Sequence, residues 1–257
     1  IEDVDALVVA STSGIAAPSL DALLVERLEM RRNVQRLPIF GLGCAGGVIG
    51  LARAGALARA MPGANVVFAV VELCGLTFRF NDRSKSNVIA TALFGDGAAA
   101  AVVNTEMEGP ELSAWGEHTW PDTLEIMGWR IEDDGFGVLF SRDIPNLVRS
   151  KMRAAAEEFL AENDLALEDI DEFVCHPGGA KVLTALEEAF GLQTGGLAHG
   201  RETLRKYGNM SAATIMFVLE RALEHGGANG AGTNGGRRMM SSLGPGFTAG
   251  FLVLEGA

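Results

Sequence analysis

Several features that would place a chain in a common class are scarce or missing from these 257 residues. The three cysteines, Cys44, Cys74 and Cys175, are too few and too unevenly spaced for a disulfide framework or a zinc site. That usage fits a reducing cytoplasm. Cations are the minority: 21 Lys and Arg against 33 Asp and Glu give a net charge of −12, which opposes nucleic-acid or anionic-membrane binding over most of the surface. An anionic substrate must therefore meet a local basic patch. No apolar run approaches the roughly 20 residues of a membrane span, and the longest, around Val66 to Val71, has the length of a strand. There is neither an initiator Met nor a charged-then-apolar leader, so no targeting signal is read. Opening directly on a strand pattern raises the expectation that an N-terminal portion precedes Ile1.

What the chain does have is a repeated phrase. IEDVDALVVA at residues 1–10 matches LEDIDEFVCH at 167–176, pairing Asp5 with Asp171, and the second copy ends in His176. Gly43-Cys44 heads a helical pattern after the first copy, and Gly208-Asn209 heads another at nearly the same distance after the second. Each half closes on a turn and an apolar strand, Phe94-Gly-Asp-Gly before AAAAVV and Leu243-Gly-Pro-Gly before FTAGFLVL. A duplicated α/β unit is expected, with halves at 1–108 and 109–257. It would bring a Cys, a His and an Asn to related strand ends and helix starts around one pseudo-two-fold axis.

The local patterns agree with layered α/β structure. Strands are expected at Val4–Ala10, Leu37–Phe40, Val66–Glu72, Ala98–Val103 and Phe173–His176, with a hairpin-like pair at Met239–Leu243 and Thr248–Leu254. Three- and four-residue apolar spacing predicts helices near Leu20–Met30, Ala45–Met61, Lys181–Phe190 and Ser211–His225. Pro145 sits at the first turn of a further helix running to about Glu162, where its missing N–H costs nothing. Residues 109–143 read as an irregular, partly β segment, and 226–236 as a Gly-rich surface loop. Strands alternating with helices indicate sheets covered by helices.

Three residues could carry chemistry. Cys44 lies in the strand–turn–helix phrase PIFGLGCAGGVIGL, where a helix start favours thiolate and lowers its pKa; a small buried core residue is the other reading. His176 ends the strand EFVCH, and Cys175 points to the opposite face as core. Asn209 has the residue type of a helix cap, yet it takes in the second half the place that Cys44 takes in the first. A different class is also open. Gly41-Leu-Gly43-Cys-Ala-Gly46 fits G-x-G-x-x-G after a strand, with Glu72 ending the next one, the outline of a dinucleotide-binding oxidoreductase. Glu72 falls later than the usual offset, and a second match at 230–235 follows a helix and is discounted.

With Gly41-Leu-Gly-Cys44-Ala-Gly-Gly, Ala92-Leu-Phe94-Gly-Asp-Gly-Ala, His176-Pro-Gly-Gly, Tyr207-Gly-Asn209-Met-Ser and Leu243-Gly244-Pro245-Gly246-Phe in this order, the chain resembles the type III polyketide synthases, the chalcone-synthase-like members of the thiolase superfamily. The resemblance implies a thiolase-like duplicated αβαβα layered fold, Cys44 as acyl-carrying nucleophile, and His176 and Asn209 completing the site. It also implies Phe94 as gate and the Gly244-Pro245-Gly246 turn as cavity wall. An acyl-CoA starter and malonyl-CoA are the implied substrates, with a CoA tunnel, a homodimer, and no metal, flavin or nicotinamide. Where plant members place a Thr, this chain has Cys74, and Val138 stands where they carry a second gating Phe. The smaller gate is expected to leave room for an aliphatic chain, hence alkylpyrone or alkylresorcinol products. A tetrahydroxynaphthalene synthase using malonyl-CoA alone, a one-step ketoacyl synthase III and a catalytically silent partner are the other readings. Beside an imidazole, Cys44 is expected to form a thiolate–imidazolium pair.

Overall fold

The computed structural model describes residues 1–225 and 236–256. The discounted motif at 230–235 and all of the expected Gly-rich loop except Gly236 lie outside those residues. In the first half β1 (Val4–Ala10), β2 (Gln35–Ile39), β3 (Asn65–Leu73) and β4 (Asp96–Val103) form one sheet in the order β2-β1-β3-β4. Only β4 runs antiparallel to its neighbour. Pro38 is accommodated because β2 is an edge strand, where a missing donor breaks no ladder. In the second half β5 (Glu111–Thr119), β8 (Glu172–Cys175), β9 (Arg237–Gly244) and β10 (Thr248–Glu255) form a sheet in the order β5-β10-β9-β8.

The two sheets share a three-strand kernel. The parallel pair β1–β3 and antiparallel β3–β4 recur as parallel β8–β9 and antiparallel β9–β10. The repeated phrase has a mechanical reason. Asp5 Oδ2 accepts the backbone N–H of Asn65, the first residue of β3, at 2.8 Å, and Asp171 Oδ2 accepts that of Arg237, the first residue of β9, also at 2.8 Å. Each carboxylate ties the start of the neighbouring strand to its own and so fixes register. The halves then diverge: the fourth strand is β2, beside β1, in one sheet and β5, beside β10, in the other.

Helices complete five layers. α1 (Leu20–Arg27) covers the outer face of the first sheet over Leu7, Val9 and Met30. α2 (Gly46–Ala60) and α7 (Thr214–His225) lie between the sheets, packed among Val8, Phe68, Val70, Met240 and Leu252. α4 (Ile144–Ala161) and α5 (Ala180–Phe190) cover the far side of the second sheet, where Cys175 joins Met152, Phe159, Leu183 and Phe251. Fully burying side chains such as Phe68 and Leu252 contributes about 1.5–3 kcal/mol each. The central helices touch through small residues: a Cβ on Gly47 would lie 2.3 Å from both Ala212 O and Ile215 Cγ2. This is the αβαβα arrangement expected from the sequence.

Two helices escape the apolar periodicity. α3 (Lys85–Leu93) is capped by Ser84, whose Oγ accepts Asn87 N–H at 3.2 Å, and α6 (Ala198–Tyr207) is largely polar with Gly200 pressed against Leu183. Residues 109–143 are more regular than expected: β5 joins the second sheet, while β6 (Met127–Glu132) and β7 (Gly135–Phe140) pair as a separate hairpin. α1 stops at Arg27, short of the expected Met30.

Candidate active site

One cavity opens at the carboxyl ends of the parallel strands β1, β3, β8 and β9, and its lining comes from both halves. It encloses about 950 Å³, open solvent at its mouth included. Cys44, Cys74, Phe94 and Glu72 come from the first half, and Val138, His176, Asn209, Ser211 and Pro245 from the second. The walls are mostly apolar.

Cys44 is the middle residue of a three-residue 3-10 turn, Gly43–Ala45, that leads into α2. Gly43 N–H donates to Thr12 Oγ1 at 2.7 Å, anchoring that turn to the end of β1. The sulfur is half-buried, 4.0 Å from Asn209 Oδ1 and 3.7 Å from Ser211 Oγ. Burial pushes the Cys44 thiol up to about 11, with the Ser211 hydroxyl pulling the other way and the Glu72 carboxyl adding to the rise.

Asn209 is held by backbone as well as side chain. Its N–H donates to Leu93 O at 2.8 Å and its carbonyl accepts Gly95 N–H at 3.0 Å, so the Phe94 segment and Asn209 bridge the halves. Asn209 Oδ1 accepts Ser211 N–H at 2.8 Å, and Nδ2 donates to Gly178 O at 3.3 Å. A carboxamide nitrogen carries two N–H groups. The second is left for a cavity ligand.

His176 follows β8 directly. Its N–H donates to Ser241 O at 2.8 Å and its carbonyl accepts Gly178 N–H at 3.0 Å. The ring is buried, and neither Nδ1 nor Nε2 has a hydrogen-bond partner among the described residues. Burial lowers its pKa to about 4. Burial thus opposes the charged form of both groups, the reverse of the direction that a thiolate–imidazolium pair needs.

The remaining expected residues divide into walls and supports. Cys74 is buried in the cavity wall with its pKa raised by burial, and Pro245 lines the site over Gly43, where a Cβ would lie 2.5 Å from Pro245 Cδ. Gly244 and Gly246 support that turn: a Cβ on Gly244 would meet Leu42 O at 2.2 Å, and Gly246 has φ +71°. Val138 lines the cavity, but it pairs across the hairpin with Trp129, whose ring stacks on Phe136 at 4.4 Å. The room a valine leaves is thus bounded by two aromatic rings that sequence reasoning passed over. Ser211 was also missed, since nothing in the sequence reports its backbone angle.

The dinucleotide outline does not survive in three dimensions. Two of the three motif glycines are covered, Gly43 by Pro245 and Gly46 by Ala212, which a Cβ on Gly46 would approach to 3.2 Å, so the close approach of a pyrophosphate to the second and third glycines is blocked. Glu72 is buried, its carboxylate accepting from Thr12 N, Ser13 N and Ser13 Oγ, the last at 2.6 Å. Burial raises its pKa against those donors. It is a cavity residue and no ribose acceptor. Among the described residues, no helix is long and apolar enough to cross a membrane.

Comparison with known proteins gives a consistent answer. Residues 1–107 match the family model for chalcone and stilbene synthases, N-terminal domain, and residues 111–257 match that for the C-terminal domain. A 1,3,6,8-tetrahydroxynaphthalene synthase of Streptomyces peucetius subsp. caesius is 42% identical over 98% of this chain and 67% of its own length. Type III polyketide synthase C of Arabidopsis thaliana is 33% identical over 98% of this chain and 68% of its own. The crystal structure of 1,3,6,8-tetrahydroxynaphthalene synthase from Streptomyces coelicolor A3(2), a bacterial type III polyketide synthase, superposes with a TM-score of 0.91 at 28% identity, covering 99% of this chain and 72% of that one.

Proposed function

The chain belongs to the chalcone and stilbene synthase family, the type III polyketide synthases, which are acyl-transferring condensing enzymes, and from that premise we propose that Cys44 carries the growing acyl chain while His176 and Asn209 stabilise the malonyl-derived enolate. The observation that supports this most is the cavity itself: a half-buried sulfur, a buried imidazole with two unpartnered nitrogens and a carboxamide with one uncommitted N–H line the same apolar space.

The chemistry follows from this arrangement. A neutral imidazole can take the Cys44 proton as sulfur attacks the acyl-CoA carbonyl, and it returns the proton to the departing CoA sulfur. Malonyl-CoA then binds beside the thioester. Loss of CO2 places negative charge on the CoA-thioester oxygen, where one N–H from His176 and one from Asn209 Nδ2 can donate. A single donor of this kind is typically worth about 2.7–4 kcal/mol in the transition state. Apolar walls around Phe94 favour loss of the carboxylate charge. The enolate carbon attacks the Cys44 thioester carbonyl, the acyl–sulfur bond breaks to release the Cys44 thiolate, and the lengthened β-ketoacyl chain is left on CoA; its transfer back to Cys44 with release of CoA allows repetition, which gives a poly-β-ketone that cyclises.

Two surfaces support the remaining expectations. A groove of about 790 Å³, open solvent included, next to the first turns of α4 and α5 is lined by Arg142 and Lys181 together with Arg149 and Arg201, which pair with Glu188 and Glu187, a local basic patch suited to the phosphates of CoA thioesters. Leu73, Leu76, Phe78, Phe80 and Val88 are 45–73% exposed on the first half, a face suited to a second copy in a homodimer.

For the starter unit, the apolar walls favour a medium or long fatty acyl-CoA and alkylpyrone or alkylresorcinol products. Trp129 and Phe136, together with the likeness to tetrahydroxynaphthalene synthases, favour the second reading, malonyl-CoA alone. Radiolabelled acyl-CoA tests the core of the proposal. Cys44→Ala is expected to abolish protein labelling while Cys44→Gln still releases CO2 from malonyl-CoA; label retained in Cys44→Ala overturns the nucleophile assignment. Product mass spectrometry over a starter panel separates the two readings, exclusive use of malonyl-CoA excluding the fatty acyl one.

A further inference from the structure

The 3-10 turn that opens α7 keeps a side chain where its counterpart has none. Gly43, the first residue of the turn before α2, has φ +47°, and Ser211, the first residue of the turn Ser211–Ala213 before α7, has φ +50°. Glycine is the default residue there because a Cβ is strained in the left-handed region. Ser211 bears that strain, and its hydroxyl ends 3.7 Å from Cys44 Sγ. The other polar group at the sulfur, Asn209 Oδ1 at 4.0 Å, is a carbonyl oxygen. It can accept the thiol S–H, yet it turns the negative end of its dipole toward a thiolate. A serine hydroxyl accepts or donates by rotating.

We propose that Ser211 is a positioning residue that donates its hydroxyl hydrogen to the Cys44 sulfur as the thiol loses its proton, holding that sulfur toward the cavity for acyl transfer. The proposal rests on Cys44 being the acyl-carrying residue. Burial works against the thiolate at this position, and Ser211 is the strongest of the groups that favour it. Ser211 also fixes the carboxamide through its own N–H, so one strained residue aligns both the sulfur and the amide.

Alkylation of Cys44 by iodoacetamide from about pH 6 upward to where the rate levels off, followed by peptide mass spectrometry to separate it from Cys74 and Cys175, reads the sulfur without any substrate. Ser211→Ala and Ser211→Gly are expected to move the alkylation midpoint up by about one unit, about tenfold slower reaction near neutral pH. The glycine variant relaxes the backbone, so slow alkylation in a protein melting no lower than the parent isolates the hydroxyl. Ser211→Asn, which tolerates the left-handed region and offers an N–H, is expected to restore most of the rate. Parent-like profiles in both Ser211→Ala and Ser211→Gly overturn the proposal. Failure of the parent to take label from acyl-CoA removes the acyl-carrying role separately, while the alkylation profiles still decide the contact.

Discussion

At equivalent points the two halves carry alanine where the partner half carries a reactive group. Aligning the repeated phrases puts Ala10 opposite His176, and aligning the 3-10 turns puts Ala212 opposite Cys44. Both alanines are buried and pack beside the small residues of α2, Ala212 against Gly46 and Gly47, and Ala10 against Gly46 and Gly50. The duplicated framework thus supplies paired sites, and divergence loads one of each pair. Thiol and imidazole end up on different halves facing one cavity. A site built this way is held by the interface between the halves, through the Phe94–Asn209 bridge and the contact of Pro245 over Gly43.

The sharpest way to probe this asymmetry is acid, because His176 can titrate and Ala10 cannot. The folded His176 pKa of about 4 lies below its ordinary 6.5, so the unfolded chain binds the extra proton between those values. Stability from this group is complete above pH 6.5 and is lost as pH falls through 4, by about 3 kcal/mol in all. Urea denaturation at a series of pH values is expected to show this slope in the parent and to lose it in His176→Gln. A slope unchanged in the variant would mean that other groups carry the acid sensitivity.

A smaller effect tests the symmetry itself. Asp5→Ala and Asp171→Ala each remove the acceptor that ties a strand start to its neighbour, and thermal denaturation is expected to record drops of about 2–4 °C. The drop is larger for Asp5, which also pairs with Arg31. No drop in either variant would make the repeated phrase a relic without mechanical function.

The sequence made some of this plain and hid the rest for definite reasons. The β1 and β8 repeat, the helix after Cys44 and the closing hairpin were legible because apolar period and turn residues agree along them. α6 was not, since its surface is polar and part of its packing runs through Gly200, which carries no apolar side chain to signal it. Cys44, His176 and Asn209 were found by motif and position, and all three line the cavity. The detailed equivalence was misread: Asn209 precedes its turn by two residues, so it is Ala212, in the middle of that turn, that stands where Cys44 does. The direction in which burial moves the Cys44 and His176 pKa values was not legible either, because sequence spacing carries no information on how much water each group loses. Glu72 looked like a ribose acceptor at a strand end and proved to be folded back onto Thr12 and Ser13.

Whether the halves act as one site is tested most directly by CO2 release from malonyl-CoA in a Cys44→Gln protein, with and without Asn209→Ala. Joint action predicts steady release from the single variant and a loss of about a hundredfold or more in the double variant. Equal release from both would contradict a shared site at which the second half stabilises the enolate beside the first half's sulfur.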